Sequence, residues 1–273
     1  MDNLDLLAEK IFLHFKEKKN RSYPLLLEKE EIKKELEMLK NNPNSFYLLD
    51  EADGEIQGIC SYFIIEKEKY LQTTIFASLN HKKQFISDAL NHLIDKYQEY
   101  TINVGVEAEN ILLINELMDK GFMIIDDLYS ATVKPDILAG ELYSDVESVD
   151  LSRWSDFKEV HQRCFAQGYW TFDRIKINFD IWKIYCIKKN SNIKAYIFVK
   201  SSPCDETCEI FGIYGDSIDD RLKLIEHSLA SLKEKVLMYY FIEDYDEMEA
   251  CKKLGFDIHG HYQAWEYKRK KTN

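Results

Sequence analysis

The residues that could do chemistry are scattered along this 273-residue chain rather than gathered into one motif. Cys204-x-x-x-Cys208 is the only close pair among six cysteines. No second pair or nearby histidine completes a tetrahedral zinc site, so no metal is expected. His259-x-His261 has strand spacing, which points both side chains one way, but a third ligand is missing. His161 shares a helical face with Phe157, Val160 and Cys164. A histidine on so apolar a face is more often a hydrogen-bonded core residue than a base. Tyr214 and Tyr245 could each give up a proton, although among 17 tyrosines neither stands out. Gln167-Gly168-Tyr169-Trp170 sets two large aromatics beside a glycine. Such a turn can wall a pocket, and it can equally pack a corner between helices.

The elements that must position these residues show a repeat. Met248-Glu249-Ala250-Cys251-Lys252-Lys253-Leu254-Gly255-Phe256 reads as the end of a helix, a glycine stop and a strand start. Glycine suits the left-handed position past a helix end, and Phe256 can fold back onto Cys251. Glu116-Leu117-Met118-Asp119-Lys120-Gly121-Phe122 repeats the punctuation about half a chain earlier. Upstream of each stop lies a hairpin of half-buried strands: 46–63 with a turn at Asp53-Gly54, and 184–199 with a turn at Asn190-Ser191-Asn192. Between hairpin and stop each half places another strand, an amphipathic helix and a further strand. A repeat this long means two like domains rather than a solenoid.

Around this frame the periodicity predicts helices over 4–17 and 29–39. It predicts a strand over 71–79, a helix capped by Asn80 and a strand over 101–106. A helix over 110–120 and strands over 123–133 complete the first half. A linker is expected at 134–140. The second half is expected to open with a strand near 147–151 and a helix over 153–165. Strands follow at 208–214, 236–242 and 259–268. Ser217-x-x-Asp220 reads as a capping pair for the helix between the first two.

Hairpin, strand, helix, strand and a helix ending in Gly-Phe resemble the GNAT-type N-acyltransferase superfamily, and more narrowly its tandem members. The resemblance implies an α/β (α+β) fold of two domains, 1–135 and 141–273, each a mixed, mostly antiparallel sheet flanked by helices. It implies transfer of an acyl group, acetyl from acetyl-coenzyme A, to an amine of a small molecule or peptide by direct attack in a ternary complex. The cofactor would lie on the strand before the central helix and on the loop after it. That assigns cofactor contacts to Ile213, Tyr214, Gly215 and Ser217 in the second half, and to Lys82 and Lys83 in the first. Glu209, a carboxylate early on a central strand, becomes the base acting through water, and Tyr214 a proton donor. His161, Tyr169 and Trp170 become the acceptor-binding residues.

The chain departs from the family pattern in both halves. Its loops, Asn80-His81-Lys82-Lys83-Gln84-Phe85 and Gly215-Asp216-Ser217-Ile218-Asp219-Asp220-Arg221, lack the Gly-x-Gly that lets backbone approach a pyrophosphate. The family's tyrosine, four residues before the glycine stop, is Leu117 in one half and Cys251 in the other. These departures keep a second reading open, a non-catalytic ligand-binding or protein-interaction module. A third, aminoacyl transfer from charged tRNA, is opposed by the charge.

That charge is −12, with a pI near 5.2, which disfavours binding to nucleic-acid phosphates. Lys268-Arg269-Lys270-Lys271 is a short basic tail best read as a solvated end. Only 10 glycines and 4 prolines argue against low complexity. No apolar run approaches about 18 residues, and the N-terminus lacks a basic leader. A soluble cytoplasmic protein is the expectation.

Overall fold

Both Gly-Phe stops form as expected. Gly121 and Gly255 sit at φ 83° and 91°. The amide of Phe122 reaches back to the carbonyl of Leu117, and that of Phe256 to the carbonyl of Cys251, each at 3.0 Å. Those bonds satisfy carbonyls that the last helical turn would otherwise leave open.

The structure is a computed structural model that describes residues 4–80, 82–134, 142–165, 170–201, 207–231 and 237–269. In chain order the first repeat runs α1 (Leu4–Phe15), β1 (Ser22–Tyr23), α2 (Lys29–Asn41), β2 (Ser45–Ala52) and β3 (Glu55–Ile65). It continues with β4 (Tyr70–Ser78), α3 (Lys83–Lys96), β5 (Thr101–Glu107), α4 (Ile111–Asp119) and β6 (Met123–Val133). The second runs β7 (Val146–Ser148), α5 (Lys158–Phe165), α6 (Phe172–Ile177), β8 (Trp182–Lys189) and β9 (Asn192–Ser201). It ends with β10 (Thr207–Gly215), α7 (Ile218–Ser231), β11 (Leu237–Ile242), α8 (Tyr245–Lys253) and β12 (Asp257–Tyr267). The fold is the mixed, mostly antiparallel sheet flanked by helices that the element order implies.

Two compact units result: residues 1–128 with 260–273, and residues 129–259. They differ from the contiguous sequence repeats by one strand apiece. Tyr129–Val133 of β6 pair antiparallel with β11, whereas residues 262–267 of β12 pair antiparallel with β5. Each unit therefore takes its last strand from the other repeat. Most of the expected 134–140 linker lies outside the described residues, as do Cys204 and Tyr169.

Apolar periodicity explains the layers. In the first unit Phe85, Ile86, Leu90 and Leu93 of α3 cover one sheet face with α4. Leu7, Ile11, Ile32 and Leu36 of α1 and α2 cover the other. In the second unit Leu224, Ile225 and Leu229 of α7 and Met248 of α8 bury one face. Trp154, Phe157 and Phe172, around α5 and α6, bury the other. Burial of each such side chain contributes about 1.5–3 kcal/mol. Asn80 does not cap α3: the helix starts at Lys83, and the Asn80 amide donates to Gln57 instead. Ser217 does cap α7, accepting from the Asp220 amide at 3.1 Å.

Each unit contains a fork of parallel strands. β4 pairs with β5 only through Tyr70–Gln72 and 101–103. β10 pairs with β11 only through 207–210 and 237–240. Beyond those rungs the strands part. In the first unit the gap is filled by β1, a two-residue strand with no sequence signal. Ser22 and Tyr23 pair with Val106 and Gly105 of β5. Because β12 holds the opposite edge of β5, β1 must lie on the β4 side. There the Phe76 amide of β4 donates to the Ser22 hydroxyl at 2.9 Å.

Candidate functional site

The fork of the second unit is built differently. β9 takes one edge of β10, and β6 takes the outer edge of β11. Among the described residues no strand enters the gap between them. The β9–β10 register slips at Phe211, which bulges between Ile210 and Gly212. Ile210 also makes the last rung with β11, so the bulge marks the mouth of the fork. From Phe211 to Gly215, β10 continues with a described partner on one edge alone.

Glu209 lies one rung below that mouth. It is opposite Lys200 of β9 and Tyr239 of β11. Burial pushes its carboxyl up to about 7, against the opposing pull of the Lys200 charge. Lys200 extends its ammonium to 5.4 Å from the ring centre of Trp170 and 5.6 Å from that of Phe211. Trp170, Trp182 and Phe211 pack edge to face, with centroids 4.9–5.8 Å apart. The result is an aromatic wall beside a carboxylate that exchanges its proton near neutrality.

His161 is buried, and both its ring nitrogens are engaged. A carbonyl only accepts, so Nε2 donates to the Trp170 carbonyl at 2.9 Å. Nδ1 then accepts the Tyr196 hydroxyl proton at 3.0 Å. Burial lowers its pKa, outweighing that carbonyl bond, and keeps the ring neutral. Its chemistry is consumed in fixing Trp170, the core role its apolar helical face suggests.

Tyr214 donates its hydroxyl to Asp216 at 3.1 Å and receives a bond from the Arg163 guanidinium at 3.3 Å. Partial burial first, and the Asp216 carboxylate second, raise its pKa, so the phenol keeps its proton. Ile213 is half-buried against the α7 face. Gly215 ends the strand under Arg221, which donates to the Gly215 carbonyl at 3.2 Å and pairs with buried Glu247 at 2.9 Å. A Cβ at position 215 would meet Arg221 Cγ at 3.0 Å and Ala195 Cβ at 3.2 Å. The Ser217 hydroxyl is spent on the α7 cap.

The first-unit lysines are already opposed by carboxylates. Lys83 reaches Glu116 at 2.8 Å, and Lys82 reaches Asp50 at 3.4 Å. The surface pocket beside Lys82, about 430 Å³, also includes Asp88, so it is a poor phosphate site. A second cavity of about 280 Å³ lies near the far end of β4, lined by His14, Lys19, Asn20, Ser78 and Glu109. Neither residue at the family tyrosine position can protonate a thiolate. Leu117 is apolar, and burial pushes the Cys251 thiol up to about 12.

His259 bonds Thr132 at 2.5 Å and His261 pairs with Asp127 at 2.5 Å, so the two rings have separate partners. Sequence reasoning missed Lys200, Phe211, Trp182 and Arg221. All four depend on strand register or on the packing of α7, which residue spacing does not reveal.

An open fork of parallel strands, a bulge at its mouth, a carboxylate beside the bulge and a helix starting past the strand end define an N-acetyltransferase-type fold, here in tandem. Solved structures bear this out. The chain is similar to a GCN5-related N-acetyltransferase from Sphaerobacter thermophilus, at 11% identity and TM-score 0.66, over 97% of this chain and 92% of that one. It is similar to a tandem GNAT protein from the clavulanic acid biosynthesis pathway, at 11% identity and TM-score 0.53, over 100% and 96%. A putative acetyltransferase from Pyrococcus horikoshii matches at 13% identity and TM-score 0.55, over 98% and 87%. No family model and no curated protein matches the sequence. Among the described residues no helix is long and apolar enough to cross a membrane.

Proposed function

We propose that the chain is an N-acyltransferase that moves an acetyl group from acetyl-coenzyme A to an amine of a small molecule or peptide, at the fork of the second unit. The observation that carries this reading is the edge of β10 from Phe211 to Gly215, left without a described strand partner directly above Glu209. An extended acyl-pantetheine chain fits such an edge, as a peptide strand would. Glu209 takes the proton of the attacking amine through water, and Tyr214 supplies one to the departing thiolate. Trp170, steadied by His161, lines the acceptor side. Ile213, Gly215 and Ser217 border the donor, with the α7 N-terminus beyond them.

Lys82 and Lys83 are the first unit's counterparts of these donor contacts, but β1 fills that fork and carboxylates face both lysines, so the donor is assigned to the second unit. The 280 Å³ cavity of that unit favours a second reading, in which the chain binds a small ligand there without catalysis. Calorimetry separates the two. Binding of acetyl-coenzyme A that Gly215→Trp abolishes supports the transferase. Absence of binding at millimolar ligand leaves the non-catalytic reading.

A further inference from the structure

Lys200 is an amine already delivered to the proposed site. It sits directly across the strand pair from Glu209. Its ammonium lies over Trp170 and over Phe211, the bulge residue at the fork mouth. It forms no ion pair among the described residues. Among the described residues its charge meets two ring faces and, at longer range, the Glu209 carboxylate, and the ring contacts favour the ammonium form. A carboxylate half in its basic form near pH 7 stands on the neighbouring strand to receive a proton. The acceptor wall thus carries a primary aliphatic amine of its own.

We propose that Lys200 is an acyl acceptor within the chain, its ε-amine taking the acetyl group from acetyl-coenzyme A at the second-unit fork. This rests on the transferase reading. The nitrogen lone pair attacks the thioester carbonyl carbon, a C–N bond forms and the C–S bond breaks. One ammonium proton passes through water to Glu209 before attack. As the tetrahedral species collapses, Tyr214 protonates the departing thiolate, which leaves as the free thiol, and the second nitrogen proton passes through water to restore the Tyr214 phenol. No oxidant or reductant is needed. Acetylation removes the positive charge and leaves an acetamide against Trp170 and Phe211, on the surface an external amine would use. The modification is therefore self-limiting: each modified chain loses access to its acceptor wall.

The test uses the full chain incubated with acetyl-coenzyme A, with peptide mass spectrometry for acetyl-Lys200 and calorimetry for binding. Wild type, Lys200→Arg and Glu209→Gln are compared, with acetyl phosphate as a non-enzymatic donor. Near-stoichiometric acetyl-Lys200, formed at a rate independent of protein concentration and slowed about a hundredfold in Glu209→Gln, supports the proposal. Binding of acetyl-coenzyme A and acetylation of an added amine, with Lys200 unmodified, overturn the proposal and leave the transferase standing. Equal modification by acetyl phosphate or in Glu209→Gln also overturns it, since the lysine is then merely exposed. Absence of binding overturns both readings together.

Discussion

Glu209 is a carboxylate whose environment disfavours its charge, and the direction of that effect fixes two pH dependences. As the proposed base it works only when deprotonated. The turnover of the wild-type chain is therefore expected to rise with pH through about 7, and Glu209→Gln to flatten the profile and lower kcat by about 10²–10⁴ with coenzyme binding unchanged. Steady-state rates between pH 5.5 and 8.5 decide this. The same raised pKa means the folded chain holds the proton more tightly than the unfolded chain. Its contribution to stability is full below the usual carboxylate range and is lost as pH rises through about 7. Glu209→Gln is thus expected to gain stability over wild type at pH 8 relative to pH 4, read from urea midpoints. A matching shift at both pH values would mean the carboxyl is not titrating as argued. Glu209 was legible because a carboxylate early in an apolar strand breaks the pattern. Lys200 was not, because its place opposite Glu209 depends on a register that the Phe211 bulge alters.

Helix ends carried more of the fold than any catalytic residue did. The two Gly-Phe stops were readable because glycine and a following aromatic perform a local task, with one bond back to the helix and one left-handed residue. At Gly121 a Cβ would meet nothing within 4 Å, so Gly121→Ala isolates the backbone term. It is expected to destabilise the chain by about 1–3 kcal/mol, measured by denaturant unfolding. An unchanged midpoint would remove the conformational argument. β1 shows the opposite case. Two residues have no periodicity, and Ser22–Tyr23 become a strand only because β5 offers them an edge inside the fork. Gly105 makes that approach possible: a Cβ there would stand 2.7 Å from the Tyr23 Cβ. Gly105→Ala is expected to cost about 1–3 kcal/mol through overpacking, with loss of β1 amide protection in hydrogen exchange. Retained protection of Ser22 and Tyr23 would show that the contact is not tight. The phosphate-loop glycines and the tyrosine before each stop are missing from the sequence, and the residues described at those positions do not take over their part.

The two units carry the same topology with different fork contents, so the molecule is expected to bind one coenzyme, not two. The sequence could not decide between halves, because lysines favoured the first and a carboxylate with an aromatic turn favoured the second. Packing alters that balance. The lysines are matched by Asp50 and Glu116, and the first fork holds β1. The overall charge of −12 makes any local cation count for more in attracting a polyanion, so the lysines deserve a direct trial. Titration of coenzyme A into wild type, Lys82→Glu/Lys83→Glu and Gly215→Trp provides it. A stoichiometry near one is expected for wild type and for the double reversal, with at most a modest affinity loss that shrinks as salt is raised, since exposed charges are screened over about 10 Å at 0.1 M. No binding is expected for Gly215→Trp, whose side chain must displace Arg221 and crowd Ala195. Far-ultraviolet circular dichroism checks that this variant still folds. Binding abolished by the double reversal and untouched by the tryptophan would move the site to the first unit. It would require Ser22–Tyr23 to leave the fork when the ligand enters, and hydrogen exchange at those two amides would then rise with coenzyme concentration.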